Sequence, residues 1–334
     1  MQVSKPLNDT GAQYANRHII QAIRSEEQYW RDRYPILQYQ NGLGMGILLL
    51  ALTVMLVNGY GYYQELIPAW TCIVVAALCA SLSHEIEHDL IHRQYFRDQP
   101  VIYNLMMLLT WLMRPNTINP WYRRDIHLQH HKTSGTPQDI EERLVGNGIN
   151  YGFSRLVVMF DGLLGLFLRQ AVLRREVKGF SVGKLLKASF PVASLYFLTW
   201  YIFLVFHAYD TLFSGAYPQW LVLLMDGINF SVVVLIAPNF IRSACLNFIT
   251  SNMHYYGNVH CLIQQTQILD RWFFMPFQLF CCNFGSSHSI HHFVVSQPFY
   301  LRQLVANKAH KVMCEQGVRR NDLSTFVTSN RRIS

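Results

Sequence analysis

Two pairs of long apolar stretches set the pattern of this chain. Residues 34–64 and 66–83 contain no charged side chain, and a single glutamate, Glu65, separates them. Because an α-helix rises about 1.5 Å per residue, each stretch is long enough to cross a hydrocarbon core of about 30 Å. We therefore predict two spanning helices, at about residues 36–57 and 66–84, joined as an antiparallel hairpin.

A second hairpin follows further along the chain. Residues 188–209 lack Asp, Glu, Lys and Arg, and residues 218–238 carry Asp226 as their single charge. Two other apolar stretches, residues 101–113 and 155–169, are too short to cross alone and predict helices that lie in the membrane interface or pack beneath the polar segments. The predicted fold class is an all-α integral membrane bundle, with about four spanning helices in two hairpins plus interfacial helices.

The composition agrees with a membrane protein. Of 334 residues, 51% are hydrophobic and 14% are charged, against about 25% charged in an average soluble domain. We divide the chain into a polar membrane-surface arm (residues 1–33), one membrane-embedded domain (residues 34–318) and a polar tail (residues 319–334). The seven cysteines are odd in number and mostly lie in apolar surroundings, so we expect reduced core residues without a disulfide framework.

The basic residues indicate the orientation of the bundle. All 28 Lys and Arg residues lie before the first span, between the second and third, or after the fourth, and the two remaining connections hold none. By the positive-inside rule, the basic side is cytoplasmic and includes both termini. The net charge of +8 then reflects attraction to anionic lipid headgroups. No basic and aromatic nucleic-acid module is present, so we expect the lipid bilayer, and no nucleic acid, as a partner.

Three histidines stand four residues apart at the end of the second predicted span. They are His84, His88 and His92. Each step of four on a helix advances about 400°, so all three side chains project toward one side. Acidic residues alternate with them, at Glu85, Glu87 and Asp89.

Two further histidine groups have the spacing H-x-x-H-H. They are His127, His130 and His131, and His288, His291 and His292. Positions i, i+3 and i+4 share a helix face, so each group can direct three nitrogens at one point. A single histidine is more simply a buried or surface imidazole bonded to the backbone, but nine of 14 histidines in three such groups on one side of the membrane indicate a metal site in a histidine-rich cytoplasmic cap. Imidazole suits zinc, copper, iron and nickel, and nine are too many for one ion but enough for two.

The three motifs resemble the histidine boxes of the integral-membrane fatty acid desaturase and hydroxylase superfamily, which includes the alkane monooxygenases. The likeness covers about residues 34–299. The first box fits two registers, since residues 88–93 (HDLIHR) look like the desaturase box and residues 84–88 (HEIEH) look equally like the alkane-hydroxylase box. Residues 252–257 (NMHYYG) resemble the alkane-hydroxylase element that supplies a further ligand, which would make His254 a ligand and leave either His84 or His92 outside the ligand set.

The resemblance implies a site with two iron ions that uses O2 to attack an unactivated C–H bond of a fatty acid or acyl chain. Glu85, Asp89 and Asp139, and also Glu87 and Asp125, are placed by sequence to accept the second N–H of ligand imidazoles. For each of them a solvated or salt-bridged carboxylate is the plain alternative. No cytochrome b5 or ferredoxin domain is recognisable, so we expect electrons from a separate protein of the ferredoxin, rubredoxin or cytochrome b5 type.

The reaction itself stays open at this point. The generic box pattern favours a desaturase, with terminal hydroxylation and oxidative decarboxylation to a 1-alkene as alternatives. Residues 123–148 are similar to the bacterial membrane decarboxylases that form 1-alkenes. A free carboxylate would need a cation near the metals, and Arg123 and Arg124 are predicted to supply it, unless they anchor their helix in lipid headgroups.

Two rival functions come from other classes. The sequence His84-Glu85-x-x-His88 matches the zincin signature and would fit an intramembrane zinc protease, but it leaves both H-x-x-H-H boxes without a role. A transporter or metal sensor would need ionisable residues near the middle of the bilayer, where Asp226 is the single candidate. Metal analysis separates the three classes, since they hold two irons, one zinc, or a reversibly loaded ion.

Overall fold

The computed structural model describes residues 9–213 and 215–333, which form an all-helical protein without a β-strand. The helices are α1 (Asp9–Arg33), α2 (Gln40–Tyr63), α3 (Ala69–Ile91), α4 (Pro100–Met113), α5 (Pro120–Thr133), α6 (Ile140–Leu144), α7 (Phe153–Phe160), α8 (Gly162–Glu176), α9 (Val182–Ser189), α10 (Val192–Phe213), α11 (Gln219–Ser231), α12 (Ala237–Met253), α13 (Met275–Leu279), α14 (Phe284–Phe293) and α15 (Phe299–Glu315).

Four helical segments in the described residues are long and apolar enough to cross a membrane, as the apolar pattern predicts. The first two are α2 and α3, which pack along each other as a hairpin. The sequence predicts that the histidine-bearing helix continues the second span, and α3 does continue without a break to Ile91. This continuation carries His84 and His88 on a rigid helix.

The fourth segment is longer than the sequence predicts. It runs without a break from Gln219 to Met253, through α11, a π-helical turn and α12, and α12 packs along α3. The apolar stretch predicts a span over residues 218–238. Pro238 itself lacks a backbone N–H to donate to the preceding turn. The π-helical turn lies directly before this proline, and the Asn239 side chain donates to Leu235 O (3.0 Å) and to Met113 O (3.0 Å). The helix therefore reaches the histidine-bearing end of the bundle.

The apolar stretch at residues 155–169 is two helices rather than one. Asp161 stands between α7 and α8, and its Oδ1 accepts hydrogen bonds from Leu163 N (3.0 Å) and Leu164 N (2.9 Å). An aspartate in this position caps a helix N-terminus, so the chain can turn here without losing backbone hydrogen bonds. The two helices pack against each other, and α7 also packs against α12.

Both ends of the described chain pack onto the helical body. Helix α1 buries Ile19 and Ile23 against a core that includes Val305 of α15; residues 1–8 of the expected surface arm lie outside the described residues. The segment expected as a polar tail buries Thr325 and Asn330. Its backbone forms isolated bridges with the segment that follows α12. These ends thus close over the side of the bundle where the histidines lie.

Candidate metal centre

The predicted histidines meet at one end of the bundle, although they come from four separate elements. They are carried by the last turns of α3, by α5, by the residue that ends α12, and by α14. Eight of them are buried, and the other two are His92 and His131, which are partly buried. Placing this many polar rings inside the protein is costly unless each ring nitrogen has a partner.

The buried rings form two groups. Cluster A consists of His88, His92, His127 and His291. Cluster B consists of His130, His254, His288 and His292. Within each cluster, one nitrogen from every ring lies within 4.8 Å of the corresponding nitrogens of the other three.

The nitrogen spacing in both clusters fits a bound metal ion. In cluster A, His92 Nε2 lies 3.0 Å from His127 Nε2 and 3.1 Å from His291 Nε2. In cluster B, His254 Nε2 lies 3.2 Å from His292 Nε2. Two imidazole nitrogens that bind one ion at about 2.0–2.1 Å, at right to tetrahedral angles, lie about 2.9–3.4 Å apart. A ring nitrogen carries at most one proton, so hydrogen bonds alone cannot satisfy several nitrogens that converge in this way.

Two carboxylates hold imidazoles of helix α5 in place. His127 Nδ1 lies 2.7 Å from Glu141 Oε2, and His130 Nδ1 lies 2.9 Å from Asp139 Oδ2. A carboxylate can only accept, so Nδ1 of each ring donates and Nε2 is left to face its cluster. Imidazoles that bind metals are usually oriented in this way. Asp139 therefore occupies the position that the sequence predicts for it.

Two further imidazoles, both of cluster B, have oxygen acceptors at Nδ1. His254 Nδ1 lies 3.0 Å from the backbone oxygen of Thr250 and 3.3 Å from Glu142 Oε1. His292 Nδ1 lies 3.0 Å from Gln265 Oε1. The ring nitrogens that remain without a partner in the described residues include His88 Nε2 of cluster A. An unpartnered, buried nitrogen of this kind is what a metal ligand requires.

Glu85 and Asp89, predicted to accept from imidazoles, bind an arginine instead. Arg302 Nη2 lies 3.1 Å from Glu85 Oε2 and 2.9 Å from Asp89 Oδ1, and all three side chains are buried. Arg302 belongs to α15, and its Nη1 also lies 3.5 Å from His88 Nδ1 of cluster A. Glu87 likewise pairs with arginines, Arg114 and Arg123. The acids of the first box thus fix helices to one another.

The structure separates the three histidines of the first box. His88 and His92 belong to cluster A, whereas His84 lies outside both clusters, with its Nδ1 3.1 Å from Arg114 Nη1. The zincin motif does not form a zinc site here, because Glu85 is held by Arg302 and His84 faces Arg114.

His131 lies beside cluster A and toward cluster B. Its Nε2 is 3.0 Å from His291 Nε2 and 3.2 Å from His127 Nε2. Its ring centroid lies 5.0 Å from that of His292. The structure thus brings nine of the ten predicted histidines around one centre, and His254 is among them.

Burial keeps most of these imidazoles uncharged. It lowers the pKa of His92 to about 2 and the pKa of His254 to about 3. Burial also acts to lower the pKa of His130, but the neighbouring Asp139 carboxylate raises it to about 10. Neutral rings keep a lone pair for a metal cation, and the charge on Asp139 compensates part of the charge such a cation brings.

A cavity of about 270 Å³ lies beside the two clusters. One water needs only about 10–15 Å³, so this space is large enough for an organic ligand. Its polar end is lined by His84, His88, His127, His130 and His288. Its walls are mostly apolar and include Phe160, Leu166, Phe197, Trp200 and Phe240. An apolar chain in this cavity would have one end at the histidines.

The two arginines predicted to bind a carboxylate have other partners. Arg123 Nη1 donates to Glu87 Oε1 (3.0 Å), and its Nη2 lies 3.6 Å from Glu141 Oε1. Arg124 Nε donates to the backbone oxygen of Ile91 (3.0 Å). Arg123 still lines the cavity, whereas Arg124 ties α5 to the end of α3.

Sequence reasoning missed several residues that complete the site. Glu141 could have been found from the sequence, because it belongs to an acidic pair that opens the short helix after the second box. No sequence feature indicates Thr250 or Gln265, since serine, threonine and glutamine are common throughout the chain. Arg242, which lines the cavity and lies on the long fourth segment, stood out only as a charge inside an apolar stretch.

Comparison with known proteins agrees with this geometry. No curated protein matches the chain at a significant level. A family model described as fatty acid desaturase matches residues 65–324, which include all three histidine boxes and His254. Since this match covers most of the sequence, the chain belongs to the fatty acid desaturase family.

Proposed function

We propose that this protein is an O2-dependent di-iron oxidoreductase that attacks an unactivated C–H bond of a fatty acid or acyl chain, with desaturation as the reaction. The family and the histidine clusters already indicate a metal-dependent lipid oxidoreductase in a membrane. The observation that carries the proposal further is the pair of four-nitrogen clusters beside one ligand-sized cavity.

The residues present fit two ions rather than one. Cluster A would hold one ion and cluster B the other, with His131 adjoining the first. When bound, two irons would supply O2 reduction and the oxidising power for hydrogen abstraction. All-imidazole ligation suits this task, because it leaves iron more electron-poor than carboxylate ligands would.

The chain itself positions the ligands and the substrate. Asp139 and Glu141 hold His130 and His127 so that one nitrogen of each faces its cluster. The apolar walls of the cavity would hold an acyl chain, exclude water and bring one carbon next to the histidines. These walls belong to α7, α8, α10 and α12, so a chain could enter from the lipid between the second hairpin and the short helices.

The proposed setting is a membrane with the histidine side and both termini in the cytoplasm, as the distribution of basic residues favours. Electrons would come from a separate ferredoxin, rubredoxin or cytochrome b5 type of protein. The basic cytoplasmic surface would favour an acidic partner.

Product analysis tests the proposal directly. Membranes that contain the protein, O2 and a reductant chain should consume a medium- or long-chain fatty acid or acyl lipid, with products separated by mass spectrometry. An internal double bond identifies a desaturase, an added oxygen a hydroxylase, and a terminal alkene one carbon shorter a decarboxylase. If metal analysis finds no iron, or if no fatty acid or alkane is oxidised with any electron donor, the proposal is wrong.

A further inference from the structure

Arg242 is a buried cation on the long fourth segment. Its side chain is 2% exposed. In the described residues, the side chain makes one hydrogen bond, a long contact from Nη2 to Asn116 Oδ1 (3.3 Å). The Nε atom has no partner. No carboxylate of the described residues forms an ion pair with it, whereas Arg114, Arg123 and Arg302 each pair with an acid of the first box.

Other buried arginines in the same protein are compensated. Arg302 binds two carboxylates, Arg114 binds Glu87, and Arg143 binds Glu176. Arg155 has no carboxylate but donates to two backbone oxygens and to Asn330. Arg169, the sixth buried arginine of the described residues, also lacks a carboxylate and donates to one backbone oxygen, that of Arg143. Among these six, Arg242 is the one whose single acceptor is a long contact.

Burying a cation without a compensating anion in this position costs free energy. Removing a guanidinium from water costs several kcal/mol unless an anion or several acceptors replace the water. Ionisable residues within membrane-spanning segments usually face a bundle interior or cavity and mark a functional site. Arg242 therefore requires an explanation beyond packing.

The cavity beside the clusters provides space for an anionic partner of Arg242. Arg242 lines it together with His84 and His88, and much of the remaining lining is aromatic and aliphatic. A ligand that matches both parts of this cavity has a long apolar chain and one anionic end. The anionic end would lie at the side of the cavity that the histidines line.

His84 offers a second donor at the same end. The guanidinium of Arg114, 3.1 Å from His84 Nδ1, can only donate, so Nδ1 accepts and the proton of the neutral ring is on Nε2. This Nε2 is buried without a partner in the described residues, and His84 lines the cavity. An N–H group without an acceptor and a guanidinium with one long hydrogen bond thus border one space.

The acids on the same wall already have partners. Glu141 lies against His127 and Arg123. Glu142 Oε1 accepts from Thr250 Oγ1 and faces His254, while its Oε2 is buried without a hydrogen-bond partner in the described residues. Asp161 caps helix α8 and accepts from Tyr201. Among the described residues, none of these three carboxylates lies within ion-pair distance of the Arg242 guanidinium.

We propose that Arg242 binds the carboxylate of a free fatty acid, with His84 Nε2–H as a second donor. This inference rests on the proposed function in one respect, since it takes the cavity to be the substrate site. It narrows the substrate class, because thioesters and glycerolipid esters carry no charge at the acyl carbonyl and would leave Arg242 unpaired. It also assigns to Arg242 the role that the sequence indicated for Arg123 and Arg124.

Equilibrium binding tests the assignment without catalysis. The purified protein in detergent should be titrated with radiolabelled dodecanoic acid, methyl dodecanoate and dodecyl phosphate, with and without iron loading. The wild-type protein should bind the acid about ten- to a hundredfold more tightly than the methyl ester, as expected for a charged hydrogen bond in a buried site. R242Q should remove this preference, and R242K should keep part of it.

An exposed arginine gives the matched control. R271Q changes an exposed side chain and should leave the preference for the acid intact. The proposal is overturned if the wild-type protein binds the ester as tightly as the acid, if R242Q keeps the full preference, or if the phosphate binds more tightly than the acid. The comparison of acid with ester on the wild-type protein can overturn the proposal even if R242Q fails to fold.

The two proposals fail in different ways. A protein that selects the free acid through Arg242 but holds no iron and oxidises nothing would contradict the oxidoreductase and keep the carboxylate site. A protein that holds iron and oxidises acyl thioesters, with equal affinity for acid and ester, would contradict the carboxylate site and keep the oxidoreductase.

Discussion

His130 Nδ1 lies 2.9 Å from Asp139 Oδ2, and the other oxygen of the same carboxylate accepts from Glu142 N (3.3 Å). One side chain therefore caps the short helix α6 and fixes an imidazole of cluster B. Both residues are buried. The orientation of the ring and the position of Glu142 next to His254 thus depend on a single residue.

We expect Asp139→Ala to weaken metal binding about ten- to a hundredfold, the usual effect of removing the acceptor behind a ligand histidine. The ring of His130 loses its fixed orientation, while all ten histidines remain. Iron retained after dialysis against graded chelator concentrations measures the effect. Asp125→Ala, an exposed position on the same helix as His130, is the control and should retain iron as the wild type does. Equal retention by both variants would contradict the role of Asp139.

Much of this arrangement could be predicted from the sequence. Lipid requires long uncharged helices, so the apolar stretches locate the four segments of the described residues that are long and apolar enough to cross a membrane. Helical spacing places the histidines of each box on one side, so the boxes themselves predict a metal site. Asp139 could be predicted as well, since a carboxylate just past the second box is close enough along the chain to accept from an imidazole of that box.

The partners of the buried arginines could not be predicted. Arg302 and Glu85 are 217 positions apart, and nothing local to either residue indicates the other. The same holds for the length of the fourth segment, because the apolar stretch ends at residue 238 while the helix continues past Pro238 with a π-helical turn and a side-chain hydrogen bond from Asn239. This extension is what carries Arg242 to the cavity, so the carboxylate site could not be foreseen either.

His254→Ala should lose iron as severely as His291→Ala, because the two residues belong to clusters B and A respectively. Metal content of the purified variants, measured by mass spectrometry, tests this. His260→Ala is a close control, since His260 lies six residues further on and is exposed. If His254→Ala and His260→Ala retain the same iron, His254 is not a ligand.

His92→Ala should lose iron, whereas His84→Gln should keep it. The reason is that His92 Nε2 faces two other nitrogens of cluster A, while His84 lies outside both clusters against Arg114. Glutamine at position 84 keeps an N–H donor of similar reach, so it should also keep most of the preference for a free acid. His84→Phe should keep iron and lose affinity for the acid. Loss of iron in both position-84 variants would make His84 a ligand.

Arg302→Met should be strongly destabilising. It leaves Glu85 and Asp89 buried without their shared cation, and breaking a buried ion pair on one side costs about 3–5 kcal/mol. The melting temperature in mild detergent measures the loss. Arg320→Met, which breaks an exposed pair with Asp270, should cost no more than about 1 kcal/mol. The combined variant Arg302→Met, Glu85→Gln, Asp89→Asn should recover part of the stability, because it removes the unpaired charges as well. If Arg302→Met melts as Arg320→Met does, the network between α3 and α15 does not hold these helices together.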